Sequence, residues 1–387
     1  MRVAIFTDTF SPQINGIANT LNQLIFYFKS KGIDYLIFAP DYGNADRNKT
    51  KEANIVRLRG HRFFLYPECS LAFPNYFQQR ERIRNFNPDL IHITTEYGIG
   101  SCGLLIAKEL HLPIVMSYHT NFDRYLDDFY LSLLKRPYLS YMKRFHNQAA
   151  INLCPSYDTI RELRGRGFER LDIWSRGVDL DRFHPKHRSE TMRRRLGAEN
   201  KLIYLYVGRI SKEKGLDTLV KSIRMLNKRH RDRCVFVFTG DGPYLEEIQS
   251  EGIPNAVFTG ALCGEELSAV YASSDVFVFP SGTETFGNVA LEAMASGLPL
   301  ICVDSGGVTD FAKHRQTAYV AKCRNHKSLA RGMQQLLLDA ELRGQLADAG
   351  LACARQRTWN CIFDALIRSY QSILPAEKEI ETMAGCV

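Results

Sequence analysis

Short apolar runs recur along this chain and alternate with longer amphipathic stretches. In the first half the runs occupy residues 3–7, 35–39, 89–93, 113–118 and 149–153. In the second half they occupy residues 202–207, 234–239, 256–259, 275–279 and 299–303. Runs of this length are typical of strands that are buried on both faces, and strands that alternate with helices assemble into parallel sheets. The pattern therefore predicts an α/β chain with two doubly wound, Rossmann-like domains.

The chain is long enough for two domains. Its 387 residues exceed the length at which a single hydrophobic core usually keeps growing. The polar, basic segment 181–201 interrupts the strand rhythm and is the candidate link between the domains. We predict a first domain at 1–182, a second at 183–358, a terminal helix at about 359–374 and a tail at 375–387.

The composition is that of a soluble globular protein. Hydrophobic residues make up 45% and charged residues 24% of the chain, which is ordinary for a soluble globular protein. No apolar run approaches the roughly 18 residues of a membrane-spanning helix, and Met1 leads directly into a strand pattern without a signal peptide, so we expect a cytoplasmic protein. The ten cysteines are scattered with no C-x-x-C pair, and we interpret them as reduced core residues rather than as disulfides or a zinc site.

Positive charge is distributed unevenly. The formal net charge is +8, and arginines surround the aromatic residues at 63–66 and 73–77. A second basic and aromatic cluster occupies residues 135–144. Such interleaving suits docking on an anionic membrane surface, although an amphipathic helix with its aromatic side chains packed inward gives the same pattern. Nucleic acid is disfavoured as a partner because no recognised binding motif accompanies the charge.

Two carboxylates flank a glycine turn directly after an apolar run. Glu284 precedes the turn and Glu292 follows it. If a helix begins near Phe286, Glu292 lies about two turns from Glu284 on the same helical face, so one carboxylate sits in the entering loop and the other flanks the bound anion. The backbone N–H groups at the helix start would form an anion site, and they belong to Phe286, Gly287, Asn288 and Val289. A nucleotide diphosphate sugar fits this layout, because its phosphates need N–H donors and its hydroxyls need carboxylate acceptors. A solvated helix with two surface glutamates is the alternative.

The stretch from Glu284 to Glu292 resembles the paired-glutamate motif of the retaining glycosyltransferases of family 4. Members of that family have the GT-B fold, in which two Rossmann-like domains face each other across a cleft. The resemblance extends over nearly the whole chain. It implies that the second domain binds a nucleotide-sugar donor, that Glu284 binds the sugar and Glu292 the ribose, and that the terminal helix crosses back onto the first domain.

Two cations follow the first apolar run of the second half. Arg209 comes after Gly208, and Lys214 precedes Gly215. A guanidinium offers a planar fork to phosphate oxygens and an ammonium adds a point charge, so both can stabilise a leaving diphosphate. The segment resembles the family's Gly-Arg and Lys-Gly element, which grips the donor pyrophosphate. Lys212 is the competing cation, and a solvated basic loop is the alternative for the whole segment.

Gly16 follows the first apolar run of the chain. A glycine just before a helix lets the backbone approach a phosphate or a sugar closely, whereas a plain helix N-cap turn is the alternative. The glycines of a dinucleotide fingerprint, G-x-G-x-x-G, are missing, which disfavours a dehydrogenase. The Pro-Gln-x-Asn-Gly sequence at 12–16 resembles a subgroup of the family that glycosylates lipids or transfers mannose.

His119 follows the apolar run 113–118. A neutral imidazole at the carboxyl end of a strand can donate a hydrogen bond to a sugar hydroxyl, although a lone histidine is more often a structural residue. The resemblance places His119 beside the transferred sugar and puts Asp123 and Arg124 on the acceptor side.

Three lesser matches to the family complete the set. The backbone near Leu262 would meet the nucleobase. Arg176 precedes a Gly-Val-Asp hinge sequence at a position where Asn is commoner, and Asp310 ends a Gly-Gly sequence at a position where Glu is usual. Each of these could also be plain turn chemistry.

Together these patterns and the resemblance to family 4 predict a retaining glycosyltransferase that moves a hexose from GDP-mannose or a UDP-hexose to a lipid or glycan acceptor at the cytosolic membrane face. His119, Glu284, Arg209 and Lys214 are the catalytic candidates. We expect no cofactor and no metal ion, because fixed cations replace the metal and no Asp-x-Asp motif sits at a strand end. Two alternatives stay open: a nucleotide-sugar epimerase of GT-B fold, and a non-catalytic membrane-surface scaffold.

Overall fold

A computed structural model of the protein describes residues 1–13, 15–42, 53–62, 70–119 and 132–375. Within these residues the first sheet has eight strands: β1 Arg2–Phe6, β2 Asp34–Asp41, β3 Ile55–Arg62, β4 Ser70–Ala72, β5 Leu90–Ile93, β6 Ile114–Ser117, β7 Ile151–Cys154 and β8 Leu171–Ile173. Their order is β4-β3-β2-β1-β5-β6-β7-β8. The pair β3 and β4 is antiparallel, and the other neighbouring strands pair in parallel.

The second sheet has six strands among the described residues: β9 Leu202–Val207, β10 Cys234–Thr239, β11 Ala256–Gly260, β12 Val276–Phe279, β13 Leu300–Val303 and β14 Tyr319–Ala321. Their order is β11-β10-β9-β12-β13-β14, and all neighbours pair in parallel. The predicted α/β chain with two doubly wound parallel sheets is therefore confirmed. All ten predicted strands are present, with bounds that differ by a residue or two.

The apolar-run pattern missed β3, β4, β8 and β14. The last three have three residues each, which is too short to stand out as a run. In β3 apolar residues alternate with arginine and histidine, because the strand lies next to the sheet edge and is not apolar on both faces.

The helices connect the strands and cover both faces of each sheet. Among the described residues, those of the first half are α1 Gly16–Lys31, α2 Tyr76–Phe86, α3 Gly98–Glu109, α4 Ser132–His146 and α5 Tyr157–Gly165. Those of the second half are α6 Glu190–Arg195, α7 Leu216–His230, α8 Leu245–Ser250, α9 Gly264–Ser273, α10 Asn288–Ala295, α11 His326–Leu338, α12 Ala340–Arg355 and α13 Trp359–Ile373.

Alternate residues of the central strands enter different cores, because successive side chains of a strand point to opposite faces. In β1, Val3 and Ile5 pack with α1 and α13, whereas Ala4 and Phe6 pack with α2 and α3. In the second sheet Tyr204 lies on the face that α7 and α11 cover. The two layers of helices leave the strand ends as the open parts of each sheet, and ligands bind at the carboxyl ends in such sheets.

The terminal helix α13 packs on the first sheet although it follows the second in sequence. Its residues Phe363, Leu366 and Tyr370 are buried in the same cluster as β1 and α1. The hydroxyl of Tyr370 lies 2.6 Å from Nδ1 of His92 on β5. The hydroxyl of Tyr27 on α1 also donates to the carboxylate of Asp364, at 2.5 Å.

The segment 181–201, our candidate interdomain link, is packed onto the second sheet's helices. Its short helix α6 contacts α9. Arg193 is buried and donates to the carboxylate of Asp275 at 2.8 Å and to the carbonyl of Ser273 at 2.7 Å. A buried guanidinium requires such partners, so Arg193 anchors the segment, whereas its neighbours Arg194 and Arg195 are exposed. The residue boundaries of the domains stay a prediction.

Two further predictions concern the cysteines and the membrane. Of the eight cysteines in the described ranges none is in a disulfide, and Cys102, Cys154, Cys234 and Cys302 are buried. Cys263 and Cys361 are exposed, so the interpretation as core residues was wrong for these two, which lie at the starts of helices. Among helices in the described ranges, none has the length and apolar character needed to cross a membrane.

Candidate functional site

The carboxyl ends of the two sheets lie against each other. The hydroxyl of Thr285, in the loop after β12, donates to the carbonyl of His119, after β6, at 3.3 Å. A Cβ placed on Gly16, at the start of α1, would lie 3.8 Å from Nδ2 of Asn288, at the start of α10. The structure thus brings together predicted site residues from both halves of the chain, with two helix N-termini at the contact.

Helix α10 begins at Asn288, two residues later than we predicted. Gly287 is the residue before the helix, and its φ of 96° and ψ of 56° lie in the left-handed region that a glycine adopts without strain. Phe286 is buried against Phe311, with ring centroids 5.3 Å apart, so it belongs to the loop and the core. The helix therefore presents the first N–H groups of Asn288 and Val289, and the assignment of Phe286 to the helix start was wrong.

Glu284 lies in the loop that enters α10, as predicted. Because it is outside the helix, the expectation that it shares a helical face with Glu292 was wrong. Its carboxylate accepts a hydrogen bond from the ammonium of Lys214, and both side chains are partly buried. Lys212, the competing cation, points away and pairs with Glu247 at 3.2 Å, with 69% of its side chain exposed. Of the two lysines, Lys214 is the one directed at the loop that holds Glu284.

A close backbone approach places Lys214 there. Gly215 has a φ of 74°, and a Cβ at this position would come within 2.6 Å of the carbonyl oxygen of Pro280, at the end of β12. Only glycine fits so near another backbone, and the loop that carries Lys214 therefore lies against the loop that carries Glu284. Arg209 is exposed at the carboxyl end of β9, and the hydroxyl of Tyr206 donates to its carbonyl at 2.8 Å.

Glu292 lies on α10 and is held by a tyrosine that sequence reasoning missed. The hydroxyl of Tyr271, on α9, donates to Oε2 of Glu292 at 3.0 Å. Burial raises the pKa of Glu292, while the Tyr271 hydrogen bond and the charge of Arg182 oppose that rise. A fixed carboxylate of this kind can accept hydrogen bonds from hydroxyl groups. Nothing in the sequence singles out Tyr271, because it occurs within an ordinary helical pattern.

His119 is buried beside β6, and its partner is Arg176, from the loop after β8. One terminal nitrogen of Arg176 lies 2.6 Å from Nδ1 of His119. Burial lowers the pKa of His119 well below its ordinary value, and the Arg176 charge lowers it further, so the imidazole is neutral at pH 7. A neutral imidazole was predicted from the sequence, but its contact with Arg176 was not. Asp123 and Arg124 lie outside the described residues.

Asp310, where the resemblance gave Glu as the usual residue, links the two halves of the chain. Its Oδ2 accepts a hydrogen bond of 2.7 Å from the backbone N–H of Tyr157, the first residue of α5. A carboxylate near a helix N-terminus satisfies a free N–H and interacts favourably with the helix dipole. Burial raises the pKa of Asp310, while its backbone hydrogen bonds oppose that rise.

The remaining predicted positions are also at strand ends. Gly208 follows β9 directly, and its N–H donates to the carbonyl of Thr239 at 3.0 Å. Leu262 follows β11 and packs partly buried against the second core. Asn15 caps α1 through a 2.9 Å hydrogen bond to the N–H of Ala18, so the loop at Gly16 is a capped helix start as well as a contact to α10. Within the described residues, no group of three or more His, Cys, Asp or Glu side chains is arranged to hold a metal ion.

Comparisons with known proteins agree with this geometry. Residues 14–182 match the family described as Glycosyltransferase Family 4, and residues 188–352 match Glycosyl transferases group 1. A GDP-mannose-dependent alpha-mannosyltransferase of Mycobacterium tuberculosis is 31% identical over 96% of this chain and 97% of its own length. An alpha-monoglucosyldiacylglycerol synthase of Streptococcus pneumoniae is 28% identical over 78% of this chain and 70% of its own length.

The fold has solved counterparts. The structure of a sucrose-phosphate synthase from Thermosynechococcus elongatus superposes with a TM-score of 0.76 over 96% of this chain and 98% of that one, at 20% identity. This structural similarity, the two parallel sheets and the packing of α13 on the first sheet together identify the GT-B fold. The chain therefore belongs to glycosyltransferase family 4, and it is an enzyme, a glycosyltransferase with the GT-B fold.

Proposed function

We propose that this enzyme is a retaining hexosyltransferase that transfers a hexose from GDP-mannose or a UDP-hexose to a lipid or lipid-linked glycan at the cytosolic face of a membrane. The observation that carries the proposal is the meeting of Lys214 and Glu284 next to the start of α10, which itself contacts the start of α1. Cations and helix N-termini suit a diphosphate, and the carboxylate suits a sugar hydroxyl.

The diphosphate of the donor lies in this proposal against Arg209, Lys214 and the first N–H groups of α10. As the bond between the anomeric carbon and the phosphate oxygen breaks, negative charge builds up on the leaving diphosphate. Preorganised cations and N–H dipoles stabilise that charge in the transition state. Because these groups are part of the protein, the proposal requires no bound metal ion.

The sugar and the ribose are held by different carboxylates. Glu284, beside Lys214, accepts hydrogen bonds from the sugar, and Glu292, fixed by Tyr271, accepts them from the ribose. His119 donates a hydrogen bond to a sugar hydroxyl. The acceptor oxygen bonds to the anomeric carbon on the face that the phosphate leaves, and its proton passes to the leaving phosphate oxygen, so the configuration is retained.

A lipid acceptor is supported by exposed aromatic residues on the first domain and by a relative whose name includes diacylglycerol. Phe73, in the loop between β4 and α2, is 84% exposed, and Phe77, in the first turn of α2, is 70% exposed. Neighbouring arginines contribute less charge than the sequence indicated, because Arg80 and Arg84 both pair with Glu109, at 2.8 and 3.6 Å. The aromatic residues at 63–66 lie outside the described residues.

The second basic cluster, at 135–144, forms part of α4. There Met142 is buried, and Tyr141 is partly exposed and donates to the carbonyl of Glu96 at 2.8 Å. This favours the packed amphipathic helix over a membrane contact for α4. The membrane proposal therefore rests on Phe73 and Phe77.

The transfer reaction is tested with a panel of GDP- and UDP-hexoses and lipid acceptors. We expect a glycolipid whose anomeric configuration, read by NMR, matches that of the donor. Inversion of configuration would contradict the retaining mechanism. Labelled sugar that returns as an epimerised nucleotide sugar would favour the epimerase, and neither transfer nor donor hydrolysis would favour the scaffold.

Membrane docking is tested by co-sedimentation with liposomes. We expect binding to vesicles that contain anionic lipid, and weaker binding for the Phe73→Ser, Phe77→Ser double variant. Phe26→Ser is the matched control, because Phe26 is 66% exposed on α1, which packs on the opposite face of the first sheet from α2. Equal loss of binding in the control would contradict the assignment of Phe73 and Phe77 as the docking site.

A further inference from the structure

Arg176 is a charged residue that the proposed reaction does not use directly. Its side chain is only 5% exposed, and its guanidinium lies over the ring of Trp174 at 5.2 Å from the centroid. One terminal nitrogen donates to the carbonyls of Trp174 and Ser175, at 2.9 and 3.3 Å. The other lies 2.6 Å from Nδ1 of His119. Arg176 is therefore held firmly in place, with one donor directed at the histidine.

This contact determines where the imidazole carries its proton. A guanidinium has hydrogen-bond donors but no acceptor, so Nδ1 of His119 must accept and cannot hold a proton. The single proton of a neutral imidazole then lies on Nε2. Nε2 is buried and has no hydrogen-bond partner within the part of the chain that the structure describes.

An unpaired buried N–H beside a ligand site is costly unless the ligand satisfies it. His119 lies at such a site, because its own carbonyl accepts from Thr285, next to Glu284, at 3.3 Å. A hydroxyl group of the bound sugar is the acceptor that the proposed function supplies. The fixed tautomer therefore matters for the reaction as well as for the fold.

We propose that Arg176 is a positioning residue that holds His119 as the Nε2–H tautomer, so that the imidazole presents a neutral N–H donor to a hydroxyl of the transferred sugar. This rests on the proposed hexosyl transfer. Arg176 need not touch the substrate, since it acts through His119. A residue with an amide or no donor at this position would leave the imidazole free to adopt either tautomer.

The surroundings of His119 keep its imidazole neutral with or without Arg176. Within the described residues the titratable groups around the ring are Arg176, His92 on β5 and His146 at the end of α4, and Trp174 contacts the ring with centroids 5.5 Å apart. Burial is the first cause of the lowered pKa of His119, and it remains when an apolar residue replaces Arg176. The variant ring therefore stays neutral, and what it loses is the fixed position of its single proton.

The experiment compares wild type with Arg176→Met and Arg176→Lys in kcat/KM for hexosyl transfer between pH 6 and 8.5. At pH 8.5 we expect Arg176→Met to lose about 10- to 100-fold, the range for one hydrogen bond to a charged or buried group. The loss should stay nearly the same down to pH 6, because burial keeps the ring neutral over this range. Arg176→Lys keeps a cationic donor and should recover part of the activity.

Arg193→Met is the matched control, because Arg193 is a second buried arginine that bonds to backbone carbonyls away from the site. It should lower the melting temperature with little loss of activity. No loss of activity in Arg176→Met, or no recovery in Arg176→Lys, would overturn the positioning role.

The tautomer is measured directly by 15N NMR of the histidine rings, with the His119 signals assigned through a His119→Gln variant. We expect protonated Nε2 in wild type and a mixture of tautomers in Arg176→Met. Protonated Nδ1 in wild type would overturn the inference whatever the activity. If wild type transfers no hexose from any donor, the proposed function fails, whereas the NMR result still decides whether Arg176 sets the tautomer.

Discussion

Lys214 and Glu284 form an ion pair between two loops that are 70 residues apart in sequence. The ammonium and the carboxylate are each partly buried, so each reduces the electrostatic cost of the other. Both also belong to the proposed donor site. Removing either residue therefore has two consequences. The residue's own contact with the donor is lost, and the other residue of the pair loses its ion-pair partner.

We expect Lys214→Ala and Glu284→Gln each to lower kcat/KM by about 100-fold or more, which is typical for the loss of one preorganised group that stabilises transition-state charge. Initial rates with a labelled donor measure the effect, and circular dichroism checks that the fold is kept. Lys212→Ala is the control, because Lys212 faces Glu247 and should stay within about twofold of wild type. Full activity in Lys214→Ala or Glu284→Gln would refute the assigned roles.

The reaction should proceed without a divalent metal ion. Arg209 and Lys214 supply positive charge at the carboxyl end of β9, where a metal-dependent enzyme would hold its ion against the diphosphate. We expect the same kcat/KM after treatment with EDTA, and no increase on adding Mg²⁺ or Mn²⁺. Activity that is lost on chelation and restored only by adding Mg²⁺ or Mn²⁺ would contradict the proposed mechanism.

Stability should depend on the titration of Asp8, which is fully buried just after the carboxyl end of β1. Burial raises the pKa of Asp8 to about 6, although hydrogen bonds from Thr95 and Ile99 oppose the rise. Because the folded pKa exceeds the unfolded one, the contribution of Asp8 to stability is full below pH 4 and is lost as the pH rises to about 6, at about 1.4 kcal/mol per pH unit. Urea unfolding of wild type between pH 4 and 6 should show this decrease, and Asp8→Asn should lack it. Parallel pH profiles of the two proteins would count against a raised pKa.

The contact between α13 and β5 should contribute measurably to stability. Tyr370→Phe removes the hydroxyl that lies 2.6 Å from Nδ1 of His92 and leaves a buried polar atom without that partner. We expect the free energy of unfolding to fall by about 1–3 kcal/mol. The control is Tyr157→Phe, because the side chain of Tyr157 is 61% exposed. Loss of its hydroxyl should change the free energy of unfolding by less than about 0.5 kcal/mol. Equal stability of Tyr370→Phe and wild type would show that the His92 contact contributes little.

The two-sheet architecture could be predicted because a parallel strand that is covered on both faces must be apolar along its whole length. Strands such as Val276–Phe279 and Cys234–Thr239 are therefore visible as continuous runs. The short edge strand β14 is not, since three residues carry too little pattern. The start of α10 was misplaced for another reason: the backbone of Gly287 is left-handed, and no residue periodicity encodes the sign of φ.

The sequence by itself determined which residues stand at strand ends, because local patterns set the strands and the motifs that follow them. Only the tertiary structure decided how those residues pair. Arg176 and His119 are 57 residues apart, Asp310 and Tyr157 are 153 apart, and Tyr370 and His92 are 278 apart. Such pairs form when packed sheets and helices bring distant loops together, and a local run of amino acids carries no information about that distance.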